Sequence, residues 1–256
     1  MIRSPIGLRL NRYPDRSIKD VLRDGARLGA RGVVLDAARE LSPDQLSETG
    51  RRDLAHTLRS IDVRLIALNL PTKRAFDSLD ELDVRLARAD RAFALAYELG
   101  ARIVLVRAGQ PPPMDAAARR EAFVHALGEL GRRAEHRGIL LAIETVTGPV
   151  SLLAEILSSI ASPGLAASVD PGALLRSGQD PAAAVVALGS HVAHAYAVDA
   201  WAGSGPIVGN PGILDWEGYL GSLEEIDYRG YLTIWPDSSG DLASGFAAIK
   251  ARLDRF

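Results

Sequence analysis

Glu144 and Asp170 are the side chains whose type and spacing point most directly to chemistry, because each closes an apolar run and is followed at once by a turn. Side chains alternate along an extended strand, so residues 139–145 put Leu140, Ala142 and Glu144 on one face. By the same rule, residues 165–170 put Ala166, Ser168 and Asp170 on one face. Each acid then stands at the carboxyl end of its strand, where parallel α/β sheets and barrels collect their working groups. Two such carboxylates could exchange protons with a substrate, hold a hard cation or accept sugar hydroxyls. The plainer reading makes Glu144 the start of a solvated loop and Asp170-Pro171-Gly172 a turn. Finding both acids at the same end of neighbouring strands weighs against it.

The elements that must position these acids read as one βα unit used eight times. A short strand over 6–11 ends at Tyr13-Pro14-Asp15, and Ser17 caps a helix whose stripe is Val21, Leu22, Ala26 and Leu28. The second strand, 32–36, is continuously apolar and ends on Asp36, as expected of a strand buried on both faces. Helix 42–60, strand 63–70, helix 78–99 and strand 102–108 follow. A Pro-rich loop at 109–113 leads to helix 115–137. Helix 150–160 separates the two strands that carry Glu144 and Asp170, and Asp180-Pro181 opens the next helix. Strand 191–199, a glycine-rich loop at 200–213 suited to a lid, helix 215–226, strand 230–235 and helix 240–253 complete the chain. The pattern predicts a single (β/α)8 TIM barrel spanning residues 1–256.

In such a barrel the strand-end residues floor the active site, and alternation selects Asp36, Asn69, Arg107, Glu144, Asp170, Tyr196 and Trp235. That set offers acids for a cation or for polyol hydroxyls, a guanidinium for an anion and aromatic surface for a sugar face. Arg107 has the alternative of pairing with Asp36, Glu144 or Asp170, and Tyr196 and Trp235 that of filling the barrel. His194 lies two residues below Tyr196 on the same face, placing it between ligand contact and hydrogen-bonded core. His56, His125 and His136 fall on helices.

Composition narrows the function classes. With 47% hydrophobic and 24% charged residues the chain is that of an ordinary soluble domain, and 30 basic against 32 acidic residues leave no basic footprint for nucleic acid. Cys is absent, which removes thiolate catalysis and Cys-bound zinc. The first residues, MIRSPIGLRLNRYP, carry arginines through their apolar run and do not read as a signal peptide. No apolar run is long enough for a membrane span, so a cytoplasmic protein is expected, with homo-oligomerisation left open. Phosphate-loop, dinucleotide-fold, serine-hydrolase-elbow and HExxH zinc motifs are all missing.

LAIET, SVDPGALLRSGQDP, VAHAYAVDA and GNPGILDWEGYLGSLEEIDYRGYLTIW, in that order, resemble the xylose isomerase-like TIM-barrel superfamily of sugar phosphate isomerases and epimerases. The run from Asp215-Trp216 to Tyr228-Arg229-Gly230-Tyr231 is its most specific part. The resemblance implies a divalent metal held by Glu, Asp, His and Glu from strands five to eight, two of which also move a substrate proton. The first two positions fall on Glu144 and Asp170; the third falls on Tyr196 and the fourth on Trp235, neither a useful ligand. Ala173 replaces a further histidine. Two acids alone would hold Mg²⁺ or Mn²⁺ weakly unless Asp36, Asp199 or Asp237 substitutes, so no cofactor is assigned. Two functions stay open: an isomerase or epimerase acting on a small carbohydrate or sugar acid, and a catalytically silent barrel serving as a ligand-binding or protein-interaction module. Endonuclease IV shares the superfamily, but its many histidines and basic face are not seen.

Overall fold

Runs of β-branched and other apolar residues, too short for helices and flanked by glycine or proline, form the staves of a closed parallel barrel. The computed structural model describes residues 4–10, 16–146, 148–199, 212–236 and 242–256. The strands are β1 (Ile6–Arg9), β2 (Gly32–Asp36), β3 (Arg64–Leu70), β4 (Ile103–Val106), β5 (Leu140–Glu144), β6 (Leu165–Val169), β7 (Val192–Ala197) and β8 (Leu232–Ile234). They pair in chain order, and β1 closes on β8 through Ile6, Gly7 and Leu8 opposite Leu232, Thr233 and Ile234.

Around them run α1 (Ile18–Arg27), α2 (Glu48–Ser60), α3 (Leu82–Glu98), α4 (Ala117–His136), α5 (Val150–Ile160), α6 (Pro171–Arg176), α7 (Pro181–Leu188), α8 (Trp216–Glu225) and α9 (Leu242–Leu253). Each helix of three or more turns turns an apolar stripe inward; α3, for example, buries Leu86, Ala89, Phe93 and Ala96 against the strands. Burying one such Leu or Phe contributes about 1.5–3 kcal/mol. A second, smaller apolar cluster of Val34, Ile66, Ala67, Leu105, Ala142, Ala166 and Tyr196 fills the barrel itself.

Two expectations need correction, and one alternative weighed above is decided. The helix expected from residue 42 begins at Glu48, because Ser47, not Ser42, supplies the hydroxyl that accepts the Gly50 N–H; a single 3-10 turn at Arg39–Leu41 precedes it. The helix expected from residue 78 begins at Leu82. Asp170-Pro171-Gly172 is not merely a turn, since Pro171 starts the two-turn helix α6 and the Asp170 carboxylate caps it. Asn11, the Tyr13-Pro14-Asp15 turn, residues 200–211 of the glycine-rich loop and Asp237 lie outside the described residues.

The sequence run from Asp215 to Tyr231 works as a brace. Asp215 caps α8 by accepting from Gly218 N, the Tyr219 hydroxyl donates to the Tyr196 carbonyl, and the Tyr228 hydroxyl accepts from Ala195 N while donating to the Tyr231 carbonyl. These bonds tie β7 to the entry of β8 and so set where Tyr196 stands.

Candidate active site at the carboxyl end of the barrel

Arg9, absent from the expected ring, is the hub of the site. It ends β1 with only 6% of its side chain exposed and reaches across the barrel mouth. Its Nη1 donates to Tyr196 Oη at 2.6 Å and to Glu144 Oε1 at 3.2 Å, and its Nη2 donates to Asp36 Oδ1 at 3.2 Å. Its Cζ lies 3.8 Å from the centre of the Trp235 ring, a cation–π distance, while Nε is buried with no partner among the described residues. Burial alone would lower the Arg9 pKa, but Tyr196, Glu144 and Asp36 outweigh it and hold it raised. The signal for Arg9 was the alternation already applied to the other strands: Gly7 and Arg9 share one face of β1, and Leu8 and Leu10 take the other.

Glu144 is the anion at the centre. Its side chain is 1% exposed; Oε1 accepts from Arg9 and from the Tyr196 hydroxyl at 3.0 Å, and Oε2 accepts from Arg107 Nε at 3.2 Å. Burial, and secondarily the Glu144 charge, push the Tyr196 hydroxyl well above its ordinary pKa, so it serves as a donor. Arg107 thus does pair with an acid, yet its side chain is 54% exposed and its two terminal nitrogens have no partner among the described residues. Asp36 is similarly open, 42% exposed, with Oδ1 taken by Arg9 and Asn69 Nδ2 and with no partner for Oδ2 among the described residues.

Asp170 is buried, and Oδ1 accepts the Ala173 N–H as the cap of α6. Burial raises its pKa; that N–H opposes the rise, and the charge of Glu144 adds to it. Thr145 Oγ1 accepts the Asp170 N–H and locks the two strand ends together.

The structure separates His194 from this group. It lies one layer deeper, with Nδ1 at 2.8 Å from Ser168 Oγ and Nε2 at 2.9 Å from Thr233 Oγ1, and its ring meets Tyr196 edge-on at 4.6 Å. Burial, and secondarily Arg9, lower its pKa to about 3, so it is a neutral core histidine. Asp199, a candidate substitute ligand, is also spent: it accepts from Ile213 N, Leu214 N and Trp216 Nε1 and pairs with Arg252. Trp235 has the Arg9 guanidinium against its ring and Tyr196 at 5.6 Å. His56, His125 and His136 are exposed on helices. Among the described residues no three His, Cys, Asp or Glu side chains converge as a metal ion would require, and no helix is long and apolar enough to cross a membrane.

The sequence profile described as xylose isomerase-like TIM barrel matches residues 22–252. Among solved structures, a xylose isomerase domain protein from Planctomyces limnophilus superposes with a TM-score of 0.80 at 18% identity, over 98% of this chain and 95% of that one. A D-allulose 3-epimerase from Methylomonas sp. gives 0.77 at 17% identity over 99% and 98%. A D-psicose 3-epimerase from Clostridium cellulolyticum H10 gives 0.76 at 14% over 95% and 89%. At these identities the likenesses establish the fold. No curated protein sequence matches the chain.

Proposed function

The chain belongs to the xylose isomerase-like TIM-barrel family, and from that premise we propose that it takes a small anionic carbohydrate, a sugar acid or sugar phosphate, at the carboxyl end of the barrel. The observation that carries this reading is Arg107, whose guanidinium is anchored to Glu144 through Nε alone and presents both terminal nitrogens at the mouth. That fork matches a carboxylate or phosphate. Beside it, Oδ2 of Asp36 and the amide oxygen of Asn69 can receive hydroxyls.

A divalent cation, the group the family implies, does not fit these residues. The guanidinium of Arg9 already stands between Glu144, Asp36 and Tyr196, and Trp235, in contact with it, offers no lone pair. The positive charge is built into the chain. For acid–base chemistry, burial favours a proton on Asp170, and Glu144 has Arg107 as the one donor on its Oε2 among the described residues. In the isomerase reading Asp170 donates a proton and Glu144, once a ligand draws Arg107 away, accepts one.

A second reading, a binding barrel without turnover, is favoured by the three donors that meet Glu144. They occupy the lone pairs that a general base needs. Thermal shift with sugar acids, sugar phosphates and the matching neutral sugars tests recognition. Anionic sugars should raise the Tm, and Arg107→Ala should abolish the rise; equal effects from neutral sugars, or none from any, would overturn the proposal. Proton NMR in D2O then separates the two readings: wash-in of deuterium at a sugar carbon, lost in Glu144→Gln, marks turnover, and binding without exchange marks the silent barrel.

A further inference from the structure

The opposite, amino-end face of the barrel carries a cavity of ≈ 570 Å³ whose lining includes none of the strand-end residues described above. Its floor is the bottom layer of the barrel interior. Gly7 and Gly32 contribute no side chain there, and a Cβ at either would come within 2.4 or 2.6 Å of Ile66, which lies across them. Ile103, Ala193 and Tyr231, packed against the interior cluster, are partly exposed and line the cavity. The Tyr231 hydroxyl has no protein partner among the described residues, whereas the Tyr228 hydroxyl beside it is used twice.

The rim is cationic. Arg59, Arg64 and Arg102 line it, and none of the three has a carboxylate within ion-pair distance among the described residues. This contrasts with the neighbouring arginines, where Arg31 pairs with Asp62, Arg51 with Glu98 and Arg137 with Asp90. Glu98, the acid on the rim, is thus already committed to Arg51 at 2.8 Å. Arg102 is steadied by the Tyr97 ring, 5.0 Å from its Cζ, a contact that leaves its N–H donors free. Unneutralised guanidiniums above an apolar floor with one unused hydroxyl describe half of a binding site.

We propose that this cavity binds a small aromatic oxyanion, an aryl carboxylate or aryl phosphate, with the ring on Ile66 and Ile103 beside Tyr231 and the oxyanion among Arg59, Arg64 and Arg102. The assignment stands independently of the carboxyl-end site. Isothermal titration with phenyl phosphate, benzoate, inorganic phosphate and phenol tests it, because only the first two combine both halves. Either or both should bind at least tenfold more tightly than phosphate or phenol. Arg64→Ala/Arg102→Ala, both exposed positions, should weaken binding at least tenfold, Tyr231→Phe less, and added salt should weaken it too. Phenyl phosphate alone binding would narrow the ligand to a phosphate ester, and benzoate alone to a carboxylate. Equal affinity for inorganic phosphate, indifference to the Arg64/Arg102 change, or loss of binding in Arg107→Ala at the other end would overturn the proposal.

Discussion

The Arg9 guanidinium lies 3.8 Å from the Trp235 ring centre, joining the end of the first strand to the exit of the last. The contact covers a cation that also serves Glu144, Tyr196 and Asp36. A buried charge with that many partners is costly to remove.

Arg9→Met should therefore destabilise the protein by about 3–5 kcal/mol, the usual consequence of stranding one member of a buried ion pair. Glu144→Gln in the same chain should restore part of the loss, because the buried carboxylate would otherwise be left with one guanidinium, that of Arg107, in place of two. Urea denaturation of the two single variants and the double variant measures both effects, and additive losses would show that Arg9 and Glu144 are not coupled.

Protein purified without chelator should carry Mn, Mg and Zn well below one per chain, and EDTA should leave its Tm unchanged. Tyr196→His with Trp235→Glu, made in an Arg9→Ala background, should raise Mn²⁺ affinity by at least tenfold by titration. Stoichiometric metal in the wild type would refute the view that the charge is built in.

His194 makes a signed prediction about acid. Its folded pKa is depressed to about 3 from an unfolded value near 6.5, so the unfolded chain binds the extra proton between those values. The stability it confers is complete above about pH 6.5 and falls by up to about 1.4 kcal/mol per pH unit as the pH drops toward 3. His194→Gln should flatten that limb in urea midpoints taken from pH 7 to 4.

Asp170 runs the other way. Its folded pKa is raised by burial, so its favourable contribution exists below the ordinary carboxyl pKa and is lost as pH rises through the folded value. Asp170→Asn keeps a capping side chain and should be neutral or stabilising at pH 7 but lose that advantage at pH 4; a large loss at pH 7 would mean the carboxylate form is needed.

The barrel was legible because continuous apolar runs such as residues 103–106 suit strands buried on both faces. The ring of strand ends was legible because alternation is a strict period of two, and Asp36, Asn69, Arg107, Glu144, Tyr196 and Trp235 do meet around one mouth. Arg9 escaped because the first strand is expected to run to residue 11, two positions past the end of β1, so Arg9 does not read as a strand-end residue. The roles of His194 and Asp199 depend on partners from distant elements, Thr233 in one case and Trp216 and Arg252 in the other, which a local pattern does not encode.

Arg9 reaches Glu144 across 135 positions of chain and Tyr196 across 187. Its stacking partner Trp235 lies further along the chain still, so the full set of Arg9 contacts can form only after β8 has been made. Loop closure over such separations is the slow part of folding. The same contacts that arrange the mouth are thus the clasp of the barrel, so a nascent or C-terminally shortened chain lacking β8 would have neither a closed fold nor a partial site.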